Sequence, residues 1–112
     1  RPHNSGHHTI EACITSQYEQ LIRVLSNFPQ GETDLIQPSV MVNLLGEEGY
    51  AGIPVFEGLG EILGMKGVYP HIYGKTTTKP FRKMGHVTVM SNELPEAIRL
   101  AQEVKSILKV KA

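Results

Sequence analysis

Residues 67–90 read GVYPHIYGKTTTKPFRKMGHVTVM, and the folding of this stretch decides the rest. GVYPHIYG (67–74) and MGHVTVM (84–90) are short, rich in β-branched and aromatic residues, and punctuated by glycine. Each predicts a β-strand, with Thr88 the only clearly polar residue in VTVM. The connection between them, KTTTKPFRK, carries Lys75, Lys79, Arg82 and Lys83. A cationic loop is therefore held at both ends by strands.

Working outward, SVMVNLL (39–45) is a third strand, apolar enough to predict burial on both faces. ELPEAIRLAQEVKSILKV (93–110) is the strongest helix, with Leu94, Ala97, Ile98, Ala101, Val104 and Leu108 as its buried stripe. Ser91 or Asn92 is expected to cap it, and Pro95 is tolerated in its first turn. PVFEGLGEIL (54–63) predicts a helix with Val55, Leu59 and Ile62 on one face, weakened by two glycines. Upstream, Ser16 and Glu19 form an S-x-x-E capping box. Behind it Ile14, Tyr18, Leu21, Ile22 and Leu25 fall at helical spacing, and Pro29 and Gly31 end the pattern. Pro2 and Gly6 make residues 1–8 a loop, and TIEACIT (9–15) is compatible with a helical turn. The order is loop, helix, strand, helix, strand, basic loop, strand, helix: an α+β chain of one domain's length.

Across 112 residues, 40% hydrophobic and 20% charged composition is that of a globular protein rather than a disordered one. A single cysteine, Cys13, cannot form an internal disulfide. No apolar run reaches the ~20 residues needed to cross a bilayer, which predicts a soluble, intracellular chain. Eleven basic residues balance eleven acidic ones, yet from Ile62 to Asn92 there is no Asp or Glu. Such a local cationic region suits a small anion better than a nucleic acid. Neither G-x-x-x-x-G-K-[ST] nor G-x-G-x-x-G is present.

RPHNSGHHTI (1–10) concentrates His3, His7 and His8. A metal site there needs three or four ligands, and Pro2 and Gly6 argue against the helix that would align His3 with His7, so no metal is expected. The basic loop offers the guanidinium fork of Arg82 and the point charges of lysines, both suited to phosphate; the alternative is a solvated hairpin tip. If the fold unites the two stretches, Arg1, His3, Asn4, Lys75 and Arg82 ring one anion pocket.

RPHNSGHHTIEACITSQYEQLIRVL (1–25), PSVMVNLLG (38–46), YGK (73–75) and KPFRKMGHVTV (79–89) together resemble the C-terminal part of the 5-(carboxyamino)imidazole ribonucleotide synthetase family. These are ATP-grasp ligases of purine biosynthesis, and the resemblance covers residues 1–92. It implies an α+β fold in which residues 1–30 end the ATP-grasp domain and 31–112 form a small mixed C-terminal domain, a rudimentary single-hybrid-like unit. It implies a parent that carboxylates aminoimidazole ribonucleotide with bicarbonate and ATP, and that is cytoplasmic and homodimeric. Arg1, His3 and Asn4 would be catalytic, lining the bicarbonate and carboxyphosphate pocket. Lys75, Arg82 and Lys83 would hold the ribonucleotide's 5′-phosphate. The acids that bind Mg²⁺ in such enzymes would precede Arg1, so this chain alone is expected to be inactive. The alternative is a phosphate- or ribonucleotide-binding module without catalysis. Two departures stand out: the family usually carries an aromatic at His8, and reads R-P-G-R-K where this chain has Lys79, Pro80, Phe81, Arg82, Lys83.

Overall fold

The computed structural model describes residues 2–112, so the role expected of Arg1 lies outside the described residues. A 3-10 turn, Asn4–Gly6, leads into a one-turn helix α1 (Thr9–Ala12) and helix α2 (Gln17–Leu25). There follow β1 (Ser39–Leu45), β2 (Val55–Glu57), α3 (Leu59–Leu63), β3 (Val68–Ile72), β4 (Lys83–Met90), α4 (Leu94–Ile107) and β5 (Lys109–Lys111).

The expected hairpin is present: β3 and β4 pair antiparallel, and β1 pairs with the other edge of β4, giving the order β1-β4-β3. Because side chains alternate along a strand, this sheet has two unlike faces. On one, Val68, Val87, Val89 and Leu44 join Ala101, Val104 and Leu108 from the last helix and its end in a single core. On the other, Asn43, His86 and His71 form one cross-strand row. That polar row is covered by the N-terminal segment. His7 packs against His86 at a tilt of 33°, Glu11 bonds to His71, and His8 bonds to Ser39.

Several expectations change. Residues 54–63 are not one helix. Gly58 adopts φ +81, which L side chains avoid, and a Cβ there would sit 2.5 Å from the Ile107 carbonyl oxygen. The chain therefore runs as strand β2 before it and helix α3 after it. Strand β2 pairs with β5, a strand hidden in the sequence by the apolar end of the helix pattern. Helix α4 is not capped by Ser91 or Asn92. Glu93 holds the N-cap position without a side-chain bond, and Asn92 Oδ1 accepts instead from Gln37 Nε2 at 2.6 Å. Its buried stripe is narrower than expected, since Leu94 and Ile98 remain 49% and 44% exposed.

Strand β1 is half-buried along most of its length, because α4 covers one face while the N-terminal segment covers only part of the other. Helix α2 starts as expected, with Ser16 Oγ accepting from Glu19 N at 3.2 Å. Glu19 does not close the box but turns to Arg23 at 2.9 Å. Its apolar face is exposed, Ile22 at 61% and Leu25 at 77%, and none of its residues is buried. Among the described residues no helix is long and apolar enough to cross a membrane.

Candidate functional site

The basic connection is tethered rather than a free tip. Tyr73 N donates to Met84 O at 3.0 Å, and Thr78 exchanges two backbone bonds with Gly52. At its far end Arg82 N donates to Lys79 O at 3.1 Å, closing a turn with Pro80 and Phe81 at its centre. Phe81 has φ +63, the conformation that a turn with proline second asks of its third residue and that glycine supplies without strain. The exchange of glycine for phenylalanine noted in the sequence thus leaves the backbone in the glycine geometry. Phe81 N donates to Gly46 O, and Gly46 N to Arg82 O, both at 2.9 Å, fastening the turn to the end of β1.

Of the residues expected at the site, the fold unites Asn4, Lys75 and Lys83. Lys83 Nζ donates to Asn4 Oδ1 at 2.9 Å, and Lys75 Nζ to the Lys83 carbonyl oxygen at 2.6 Å. Lys75 also lies over the Tyr73 ring, 6.0 Å from its centroid. His3 sits one residue before Asn4; its Nδ1 accepts from Ser5 N, and its backbone is clasped at both N and O by the Gln17 amide. Arg82 turns away from this group. It donates to the Thr77 carbonyl and hydroxyl at 3.1 and 2.9 Å, and has no hydrogen bond to Asn4, Lys75 or Lys83. Among the described residues no carboxylate lies within ion-pair distance of Lys75, Lys79, Arg82 or Lys83. Cations held by neutral oxygens keep their charge available for an anionic ligand, the setting in which charge-assisted bonds to phosphate or carboxylate are strongest. The same described residues contain no group of three or more His, Cys, Asp or Glu side chains that could hold a metal ion.

Beneath this group lies a column of rings that the sequence reading does not anticipate. His86, 2% exposed, stacks on His71 with centroids 4.5 Å apart and faces His7 at 4.9 Å. His71 Nε2 meets Glu11 Oε1 at 2.5 Å. His7 Nδ1 lies 2.7 Å from Tyr18 Oη and 3.0 Å from Gln17 Nε2. The Gln17 nitrogen can only donate, so Nδ1 is the unprotonated nitrogen of His7. Tyr73 Oη lies 2.9 Å from His86 Nδ1, while His86 Nε2 and Glu11 Oε2 are buried without a partner among the described residues. Burial, reinforced by His71 and His7, holds the His86 imidazole down at about 4. Burial and the Lys83 charge lower His7, and burial raises the Tyr73 phenol. Gly85, between Met84 and His86, permits the close approach of β3, since a Cβ there would meet the His71 carbonyl oxygen at 2.3 Å. The available signal was the alternation of His71 and Tyr73, which puts both on one face of a strand.

Residues 39–100 match the family described as the phosphoribosylaminoimidazole carboxylase C-terminal domain. The N5-carboxyaminoimidazole ribonucleotide synthase of Bacillus subtilis is 48% identical over 99 residues, covering 88% of this chain and 24% of that protein. Its namesake in Aquifex aeolicus is 42% identical, covering 97% and 28% respectively. The chain thus spans about a quarter of the length of these curated relatives. Among solved structures, the N5-carboxyaminoimidazole ribonucleotide synthetase of Thermotoga maritima superposes with a TM-score of 0.97 at 56% identity, covering all of this chain and 31% of that one. The Aspergillus clavatus N5-carboxyaminoimidazole synthase, solved with ADP and 5-aminoimidazole ribonucleotide, gives 0.77 at 32% identity, covering 95% and 29%.

Proposed function

Because the chain belongs to the phosphoribosylaminoimidazole carboxylase C-terminal domain family, we propose that it is the C-terminal part of a ligase that carboxylates 5-aminoimidazole ribonucleotide. In that reaction the γ-phosphoryl of ATP passes to bicarbonate, giving ADP and carboxyphosphate. The ribonucleotide's amine then attacks the carboxyl carbon, the bond to phosphate breaks, and phosphate leaves as the amine loses a proton. Residues 1–30 end the ATP-grasp domain and 31–112 form the small terminal domain. The parent enzyme is a cytoplasmic homodimer.

In this reading Lys75, Arg82 and Lys83 receive the ribonucleotide's 5′-phosphate. Arg1, His3 and Asn4 line the place where carboxyphosphate forms and transfers. Cations there stabilise charge that builds on the transferring phosphoryl and carboxyl groups. The observation that carries the reading is the Lys83–Asn4 bond, which joins the Asn4–Gly6 turn to the end of the basic loop, with no carboxylate among the described residues within ion-pair distance of Lys83. The donor set does not fit Mg²⁺, so no step is assigned to that ion on this chain.

The test is carboxylation by the full-length enzyme carrying this chain, with ATP, bicarbonate and aminoimidazole ribonucleotide varied separately. Formation of the carboxyamino product, with the ribonucleotide KM raised by Lys75→Ala, is expected. Binding of the ribonucleotide without any ATP-dependent product would make this a phosphate-binding module instead.

A further inference from the structure

The ring column stands between the two halves of the proposed site and touches both. On one side His7 follows the Asn4–Gly6 turn directly, its N–H donating to the Asn4 carbonyl at 3.1 Å. On the other, Tyr73 lies two residues before Lys75, and Lys83 opens the strand that carries His86. The outer members are anchored: His71 by Glu11, His7 by Tyr18 and Gln17. His86 lies at the centre of the column: it stacks on His71, faces His7 at a tilt of 33° and bonds to Tyr73, whose ring also meets His7 edge-on at 6.2 Å.

We propose that His86 is a positioning residue, which sets the separation between the turn bearing His3 and Asn4 and the strand pair bearing Lys75 and Lys83. The inference rests on the carboxylase reading above for the identity of the site, but its geometry does not. A buried imidazole whose Nε2 has no partner among the described residues is a costly way to fill a sheet face, because a buried polar atom without a partner forfeits its hydration. An aromatic hydrocarbon of similar size would fill the same space without that cost. What it could not do is bond to Tyr73 Oη while packed between His7 and His71. The fixed bond sets where the Tyr73 backbone, and Lys75 beyond it, sits relative to the N-terminal turn. Reaction between a bound phosphate ester and carboxyphosphate is sensitive to that spacing, since a misplacement of about 1 Å can cost roughly 100-fold in rate.

The experiment compares wild type, His86→Phe and Tyr73→Phe in the full-length enzyme. It reads melting temperature, steady-state kinetics and amide hydrogen exchange at Gly6 and His7, whose N–H groups close the turn on His3 and Asn4 at 2.9 and 3.1 Å. The expected result for His86→Phe is a melting temperature no lower than wild type, faster exchange at both amides and a kcat reduced roughly 10- to 100-fold. The KM for ATP should stay within about twofold, since none of the residues whose spacing changes is assigned to binding ATP. A folded His86→Phe with unchanged exchange and kcat overturns the proposal. So does a parallel fall in stability and activity, the mark of a merely structural residue. If His86→Phe does not fold, Tyr73→Phe, which deletes one hydroxyl, decides by the same readouts. A wild-type enzyme that forms no carboxylated product would overturn the functional reading, while the exchange measurements would still decide the positioning role.

Discussion

Lys83 Nζ donates to Asn4 Oδ1 across 2.9 Å although 79 residues separate the two. The bond crosses from the N-terminal turn to the start of β4, and among the described residues the lysine's remaining Nζ–H groups have no hydrogen-bond partner. Both side chains are accessible, so the bond adds little to stability and its value lies in orientation. Asn4→Ala and Lys83→Met should each lower kcat/KM for the ribonucleotide. Their effects in the double variant should fall short of additive, because either change alone breaks the same contact. Strict additivity in a double-mutant cycle would show that the two residues act separately.

Phe81 carries φ +63 while 70% exposed. A left-handed conformation costs a non-glycine residue about 1–2 kcal/mol, and so exposed a ring recovers little by burial. Phe81→Gly should therefore raise stability by about 1 kcal/mol, after allowing for the greater freedom of glycine in the unfolded chain. Phe81→Val, β-branched and still less tolerant of positive φ, should lower it. Urea unfolding of the three proteins provides the ranking, and Phe81→Gly at or below wild type would remove strain from the account of this turn.

Buried His86, with half-buried His7 beside it, shapes the acid side of the stability curve. His86 titrates near 4 when folded and near 6.5 when unfolded. Above pH 6.5 neither state binds this proton, so stability does not depend on it. As pH falls from 6.5 toward 4 the unfolded chain takes up a proton that the folded chain refuses, and stability declines. Below about 4 both states are protonated and the loss levels off. The gap, at ~1.36 kcal/mol per pH unit, amounts to about 3 kcal/mol. His7 adds to the decline in the same direction. The groups facing His86 are His7, His71 and Tyr73, with Glu11 bonded to His71 and the Lys83 charge beside His7. Denaturant midpoints measured between pH 7 and 4 should fall in wild type and fall much less in His86→Phe. Parallel curves would place the acid sensitivity elsewhere.

The chain by itself should not bind nucleotide. Its cations gather at one loop and one turn, and neither glycine-rich phosphate cradle occurs in its sequence. Calorimetry of the 112-residue chain with MgATP should register no specific heat, whereas a saturable signal at micromolar concentration would make it an independent nucleotide-binding domain.

The hairpin, the third strand and the last helix were legible because each declares itself by periodicity and punctuation within a few residues. That the RPHN stretch and the basic loop share one pocket was a conditional reading of their residues, strengthened by the resemblance, and neither singled out a bond between Asn4 and Lys83. The His7, His71 and His86 column was not legible. Its assembly depends on His71 facing His86 in the β3–β4 register and on a segment more than sixty residues upstream folding over that row. Periodicity marks an apolar face without naming what covers it, which is why α2 reads as buried and stands exposed. Strand β2 escaped because Val55, Leu59 and Ile62 fit a helical spacing that a single left-handed glycine interrupts.

Lys75 and Arg82 separate the two ways a cation can serve the proposed phosphate site. Lys75 Nζ is already fixed by the Lys83 carbonyl and stands beside the Asn4 contact. The Arg82 guanidinium is occupied on one nitrogen by Thr77, which leaves its other donors to reach a ligand. A charge-assisted bond to phosphate contributes ~1.5–3 kcal/mol, or roughly 10- to 150-fold in affinity. Such a bond, equal in ground and transition states, should appear in KM alone. Lys75→Ala and Arg82→Ala should then each raise the ribonucleotide KM by a factor in that range, with kcat and the ATP KM nearly intact. Arg82→Lys should recover only part of the loss, because a point charge cannot reproduce a two-pronged contact. His3→Ala should act differently, lowering kcat, since its proposed place is with the charge that develops during carboxyl transfer. Steady-state kinetics of the full-length enzyme, with ATP and ribonucleotide varied separately, distinguishes these patterns. If Lys75→Ala raises the ribonucleotide KM and Arg82→Ala does not, the Thr77 bonds show the resting place of Arg82 in the working enzyme, and the phosphate belongs to Lys75 and Lys83.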